Sequence, residues 1–242
     1  VLLAAPLRNV AESNGRSVAV LNRYAREVVA CLEGRTWLLS NGMLDDQILI
    51  AARDMGRDLK VINVNRGRDE LYMKYVGGIV PSIRLQNAAQ LGIMSLVREW
   101  LSPASGRNAG EEVAVLNLPD LWVAHGCAYV PNKLVFFGSR DLRDAQADRI
   151  VSEHEAFWSR VLPWVKSRKD DPKQVADIKR HISRHLGLVA NNLGVFLEDA
   201  GQSTKAFQAY RQARDIDPDN ISALMNLVAL NDRGGMSSGD AE

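Results

Sequence analysis

The chain has little with which to staple or charge itself. Its two cysteines, Cys31 and Cys127, make neither a disulfide framework nor a zinc spacing. Cys31 falls on an apolar helical stripe and reads as a small buried hydrophobe, with a single bridge between the two left open. Charge of one sign is also missing: Lys+Arg total 30 against 29 for Asp+Glu. No global field therefore draws nucleic acid or an anionic membrane. No apolar run reaches the roughly 18 residues that a membrane helix needs. The opening VLLAAP is too short to span, and with Val first it reads as the start of a fragment. The glycine patterns that cradle phosphates are absent: no G-x-G-x-x-G follows a strand and there is no G-x-x-x-x-G-K-[ST]. G-x-S-x-G is missing too. No cofactor is expected, and no metal. His181 and His185 lie four apart on one helical face, but a third ligand is not evident and Arg180 and Arg184 crowd the segment. That pair reads as solvated basic helix surface.

What is present is apolar periodicity. Hydrophobic residues make up 46% of the chain, enough for a real core. Val18, Leu21, Ala25, Val28, Val29 and Leu32 recur near every 3.6 residues and predict a helix from Asn9 to Leu32, ended by Gly34. TWLLS (36–40) and the β-branched LKVINV (59–64) predict strands, with a helix from Asp45 to Gly56 between them. A helix is expected at DELYMKYV, broken at Gly77-Gly78, and another from about Ile83 to Leu101. SPASGRNAGEE reads as a loop. Strands follow near 113–116 and 133–138, with a short helix begun by Pro119 and a turn at Tyr129–Asn132 between them. Asp144 to Trp164 is amphipathic and runs to Pro163. SRKDDPK is a charged linker with a helix start at Asp171-Pro172.

Strands alternating with helices predict an α/β fold. The expectation is a small, mostly parallel sheet with flanking helices in Rossmann-like layering, over residues 1–168. An all-α helical region follows over 169–242, with a Gly/Ser-rich tail from about 233 that is expected to fray.

In open parallel sheets ligands favour the carboxyl ends of strands. There stands SNGMLDD (40–46), with Asn41, Asp45 and Asp46 available to a polar ligand, a cation or a sugar hydroxyl. The plainer reading gives Asn41 to a turn and Asp45 or Asp46 to a helix cap. Asn65 and Arg66, at the end of the second strand, pose the same choice between an anion site and a solvated loop.

Residues 187–220 form one helix-turn-helix unit. Leu193-Gly194, Leu197, Gly201, Ala206, Tyr210, Ala213 and Pro218 fall at the spacing that identifies this stretch as resembling a tetratricopeptide repeat. Ala190 stands where Trp is common. Ala223, Leu224, Asn226 and Leu227 begin a second unit. Roughly three repeats are usual for a free-standing stack, so support is expected from upstream, with 171–186 as the preceding layer. The resemblance implies a surface for a protein or peptide partner, with Asn191, Val195 and Glu198 lining the concave face. The alternative is that the repeat merely caps the domain.

A second resemblance covers residues 13–76. Arg16-Ser17 before a helix, TWLLSNGMLDDQ, a helix, RDLKVINV, and then Leu71-Tyr72 and Tyr75 follow in an order similar to bacterial protein O-mannosyltransferase-like proteins. Those are polytopic, lipid-sugar-dependent glycosyltransferases of the GT-C architecture, and the similar part is the soluble region after their membrane helices. Gly42-Met43-Leu44-Asp45-Asp46 replaces their compact Gly-Asp-Asn-Asp arrangement. Their catalytic acidic residues belong to a loop between membrane helices, so none carries over.

The resemblance implies a non-catalytic extracytoplasmic accessory region, with a membrane-embedded remainder of the same polypeptide. The alternatives are a stand-alone sugar- or small-molecule-binding enzyme with its site after strand 36–40, and a tetratricopeptide scaffold. Outside the glycosyltransferase reading a cytoplasmic location is expected.

Overall fold

The computed structural model describes residues 16–103, 108–140, 144–167 and 173–233. Readings that fall on 1–15, 104–107, 168–172 and 234–242 lie outside the described residues. This applies to the start of the first helix, part of the SPASGRNAGEE loop, the Asp171-Pro172 helix start and the Gly/Ser tail.

The protein is α/β, with a five-stranded mixed sheet among many helices. Helix α1 (Arg16–Ala30) buries Ala25, Val28 and Val29 of the stripe read from its periodicity, and Tyr24 beside them. The chain then turns through Gly34 at φ 93°, a conformation without penalty only where no Cβ is present. Strand β1 (Trp37–Ser40) is buried at every position. Helix α2 (Asp45–Asp54) leads to β2 (Lys60–Asn63) and a 3-10 turn (Val64–Arg66). Three helices follow: α3 (Glu70–Ile79), α4 (Ile83–Gln90) and α5 (Ile93–Leu101).

Two boundaries differ here from the expected ones. α3 passes through Gly77-Gly78 rather than breaking there. A Cβ on Gly77 would make only ordinary contact with the Ala89 side chain at 3.8 Å, and Gly78 meets nothing, so both glycines are accommodated within the helix. The single helix expected over 83–101 is two, because Gly92 at φ 107° turns the chain between them.

Short helix α6 (Ala109–Glu112) enters β3 (Val113–Val115), and α7 (Asp120–Val123) precedes a hairpin of β4 (Ala128–Asn132) and β5 (Val135–Ser139). The strand order is β2-β1-β3-β5-β4. β1 runs parallel to β2 and to β3, whereas β5 is antiparallel to both β3 and β4. Two differences from the expectation follow. The sheet is mixed rather than mostly parallel, and Tyr129–Asn132 is strand rather than turn. The turn falls at Lys133, left-handed at φ 58°. Pro131 is tolerated because β4 is an edge strand, where a missing N–H costs no ladder bond.

Helix α8 (Asp144–Lys166) continues past Pro163, where its end was expected; burial of Val161 and Val165 holds the last turn in place. The 27-residue α9 (Lys173–Asp199) turns back at Gly201 (φ 73°) into α10 (Ser203–Ile216), and α11 (Ile221–Asp232) follows. α9 and α10 approach closely where small residues allow it. A Cβ on Gly194 would stand 2.3 Å from the Tyr210 ring. α9 also packs on α1 and β4. One apolar core therefore runs from Leu38, Ile62 and Val115 in the sheet to Leu186, Val189 and Ala213 in the helical end.

Two buried histidines tie these parts together. His154 of α8 accepts the Lys133 backbone N–H at 3.0 Å, fixing the hairpin turn. His185 of α9 pairs through Nδ1 with the Tyr24 hydroxyl of α1. Burial pulls His154 down from 6.5 to about 4, and His185 from 6.5 to about 3. Cys31 and Cys127 are both free, and burial pushes the Cys31 thiol up to about 12.

Both histidine values are depressed on folding. The unfolded chain therefore binds more protons below about pH 6.5, and stability is lost as the pH falls from there towards 4. Denaturant unfolding is expected to show a decline of about 1.4 kcal/mol per pH unit per histidine across that window. His154→Gln should remove one histidine's share of it, and a level profile between pH 7 and 5 in the unaltered chain would contradict the assignment. Separately, Gly194→Ala should lower stability by about 1–3 kcal/mol through overpacking against Tyr210, read as a fall in Tm.

Candidate functional site

The carboxyl ends of β1 and β2 open into a cleft of about 720 Å³ lined by Asp45, Asp46, Asn63, Arg66, Leu71, Tyr72 and Tyr75 among others. Its floor is set by the chain leaving β1. Ser40 is fully buried, and its hydroxyl accepts the Gly42 N–H at 3.1 Å while donating to Asp45 Oδ1 at 2.5 Å. Gly42 has φ 94°, and a Cβ there would lie 2.2 Å from Asn63 Nδ2. The glycine thus serves both the turn and the close approach of β2's last side chain.

Asp45 stands in the first turn of α2, where a carboxylate meets unpaired amides. It does not cap the helix: Leu44 is the N-cap residue and makes no side-chain cap bond. Asp45 is half-buried, and its carboxyl is raised above the usual range, first by burial and then by the neighbouring Asp46 charge. Hydrogen bonds from Ser40 and Asn63 oppose the rise. Asp46 is exposed on the rim.

The facing wall comes from α3. Asp69 caps it by accepting the Tyr72 N–H at 3.0 Å. Tyr72 is thereby held so that its hydroxyl accepts the Asn63 N–H at 2.6 Å, and burial raises its phenol above its ordinary value. Arg66 pairs with Asp69 and lays its guanidinium over the Tyr72 ring, 4.3 Å from the centroid. Leu71 and Tyr75 project with 82% and 58% exposure.

Of the five residues singled out at the strand ends, Asp45, Asp46 and Arg66 line the cleft. Asn41 and Asn65 instead lock its loops. Asn65 Nδ2 donates to the Asn41 carbonyl at 2.8 Å, and Asn65 N–H to Asn63 Oδ1 at 2.9 Å. Ser40, Asn63 and the α3 wall were not recognisable as site residues. The Leu71-Tyr72-x-x-Tyr75 spacing marks one helical face, but only the fold carries that face back to the end of β1.

The three groove residues of the helical end are engaged within the chain. Asn191 is buried, and its Oδ1 accepts from Asn226 Nδ2 of α11 at 3.0 Å. Val195 packs into the cluster formed by α8, α9 and α10. Glu198 accepts from the Tyr210 hydroxyl at 2.9 Å and pairs with Arg233. His181 is exposed, as the solvated-surface reading expected, but His185 is not: it is buried against Tyr24. The helix face holding His185 packs on α1, which periodicity alone does not reveal.

Among the described residues no group of three His, Cys, Asp or Glu side chains is placed to hold a metal ion. Among them, too, no helix is long and apolar enough to cross a membrane. No protein-family model, curated protein or solved structure matches the chain. Fold and site together define a mixed-sheet α/β protein with a polar cleft at the ends of its parallel strands.

Gly42→Ala should cost about 1–3 kcal/mol, because φ 94° and the Asn63 contact both oppose a Cβ. Tyr72→Phe should cost about 1 kcal/mol by leaving the Asn63 N–H without its acceptor. Urea midpoints at pH 7 measure both.

Proposed function

We propose that this chain is a non-catalytic binding region whose cleft at the ends of β1 and β2 receives a hydroxyl-bearing ligand, a sugar or a peptide bearing Ser or Thr. One observation carries the reading. The Asp45 carboxylate is positioned by Ser40 and Asn63 on the cleft floor, opposite the exposed Leu71 and Tyr75. A carboxylate accepts hydrogen bonds from hydroxyls, and an aromatic ring packs on the apolar face of a pyranose or a peptide side chain. Binding is favoured over turnover because Ser40, the hydroxyl nearest to the carboxylate, is fully buried and holds Asp45 rather than facing a ligand.

The resemblance of residues 13–76 to the soluble region of protein O-mannosyltransferase-like proteins extends this reading. The region then serves a larger membrane glycosyltransferase-like polypeptide on the extracytoplasmic side, presenting acceptor or sugar to a catalytic centre elsewhere. The strand, Asn-Gly turn, acidic helix start and second strand that carry the resemblance are the pieces that build the cleft. Rossmann-like layering is part of the same reading, supported by the parallel β2-β1-β3 half of the sheet.

The helical end favours a second, compatible role. Its Gly194–Tyr210 packing suits a tetratricopeptide-type hairpin, and α11 leaves Ile221, Leu224, Met225 and Val228 exposed, where a further helix would stack.

Titration of the chain with mannose and with a Ser/Thr-rich peptide, followed by amide shifts, tests the first role. Shifts at Asp45, Asn63 and Tyr75 are expected, and Asp45→Asn with Tyr75→Ala should weaken binding about tenfold or more. Absence of shifts at those residues with both ligands would reject it. Membrane-spanning segments encoded upstream in the same gene are expected, and a gene without them would remove the glycosyltransferase part.

A further inference from the structure

A second cavity, separate from the polar cleft, lies between the ends of β1 and β3 and the helices α1 and α9. It has a volume of about 300 Å³ and is walled by apolar residues such as Leu21, Leu116 and Ile182, with Tyr24, Gln47, Asn117, His181 and His185 as its polar members. Its place is the switch point of the sheet. From β1 the chain departs towards β2 on one side, and it returns as β3 on the other. The connections diverge there and leave a crevice at the carboxyl ends of the strands.

Two polar atoms of this lining are shut off from solvent and have no hydrogen-bond partner among the described residues: Asn117 Oδ1 and His185 Nε2. Each such atom ordinarily costs about 1–3 kcal/mol, so native interiors seldom leave one unmade, let alone two in one cavity. Asn117 sits two residues after β3 in the left-handed region at φ 63°, which asparagine tolerates better than most residues. His185 has only 7% exposure, and its Nδ1 is taken by the Tyr24 hydroxyl. Burial keeps the ring neutral. Where the phenol donates to Nδ1, the ring proton sits on Nε2; in the other tautomer Nε2 is an acceptor. Besides these residues the lining includes Gln47 and the exposed His181, and it holds no carboxylate, lysine or arginine that would balance a charge.

We infer that this cavity is a binding site for a small uncharged, mainly apolar molecule carrying one hydroxyl or amide group, which His185 Nε2 and Asn117 Oδ1 recognise. The volume suits a molecule of the size of a substituted phenol. The mixture of apolar walls with a few fixed polar atoms is the composition of small-molecule pockets generally. Because the site stands apart from Asp45, Arg66 and Tyr75, it does not depend on the function proposed for the cleft.

The test uses two probes of similar shape, 4-propylphenol and propylbenzene, titrated into the full chain while backbone amides of Leu116, Asn117 and Ile182 are followed by NMR. The phenol is expected to bind at least about tenfold more tightly, the factor that one hydrogen bond supplies. His185→Phe should erase that preference. So should Asn117→Gly, which removes Oδ1 while suiting the positive φ and so guards against a folding failure of the histidine variant. Leu116→Trp, which fills the space, should abolish binding of both probes. Equal affinities for the two probes, or no shift at these amides up to the solubility limit, would overturn the inference and leave buried water as the partner of the two atoms.

Discussion

The burial of β1 is the constraint on which the rest of the structure depends. Four consecutive residues, Trp37 to Ser40, are buried; all four pair in parallel with β2 and the first three also with β3. A strand so enclosed can keep its backbone bonded only through its neighbours, and the chain must leave it abruptly. It does so through Asn41 and left-handed Gly42, and Ser40 ties that exit to the start of α2. The polar cleft opens on one side of this exit and the apolar cavity on the other. Met43 and Gln47 line both. One loop of a few residues thus divides two chemically unlike spaces.

The second constraint is the docking of α9. This helix closes the apolar cavity with Ile178, Ile182 and His185, and forms half of the helical hairpin with Leu193 and Gly194. Because its apolar residues join the sheet core, the helical end is packed on the sheet rather than tethered to it. A short helical hairpin cannot bury its own apolar face, and here α1, α8 and β4 supply the missing surface. It also engages Asn191 and Glu198 with neighbouring helices, so the face that remains open is on α11.

The polar cleft and the cavity differ in how their polar groups are treated. In the cleft, Asp45, Asn63, Arg66 and Tyr72 bond one another, and what is offered to a ligand is a fixed carboxylate beside exposed Leu71 and Tyr75. In the cavity, Asn117 Oδ1 and His185 Nε2 face no partner among the described residues. Preorganisation in the first and unmet bonding capacity in the second are distinct physical signals of binding.

Much of this was legible in the residues alone. The α/β class, four of the five strands and the Gly34 and Gly56 helix ends follow from local periodicity and backbone freedom, which a few neighbouring residues suffice to set. Asp45, Asp46 and Arg66, which line the cleft, were singled out because ligands of open sheets favour strand ends. Tertiary structure alone decided the rest. Tyr129–Asn132 became strand because β5 pairs with it, and β5 reversed the sheet because a two-residue turn at Lys133 admits no crossover. His185 is buried because α1 covers its face of α9, and Tyr72 meets the end of β2 by accepting the Asn63 N–H. Local sequence sets conformation over a few residues. Which faces meet depends on burying the whole apolar surface at once, and no single stretch carries that information.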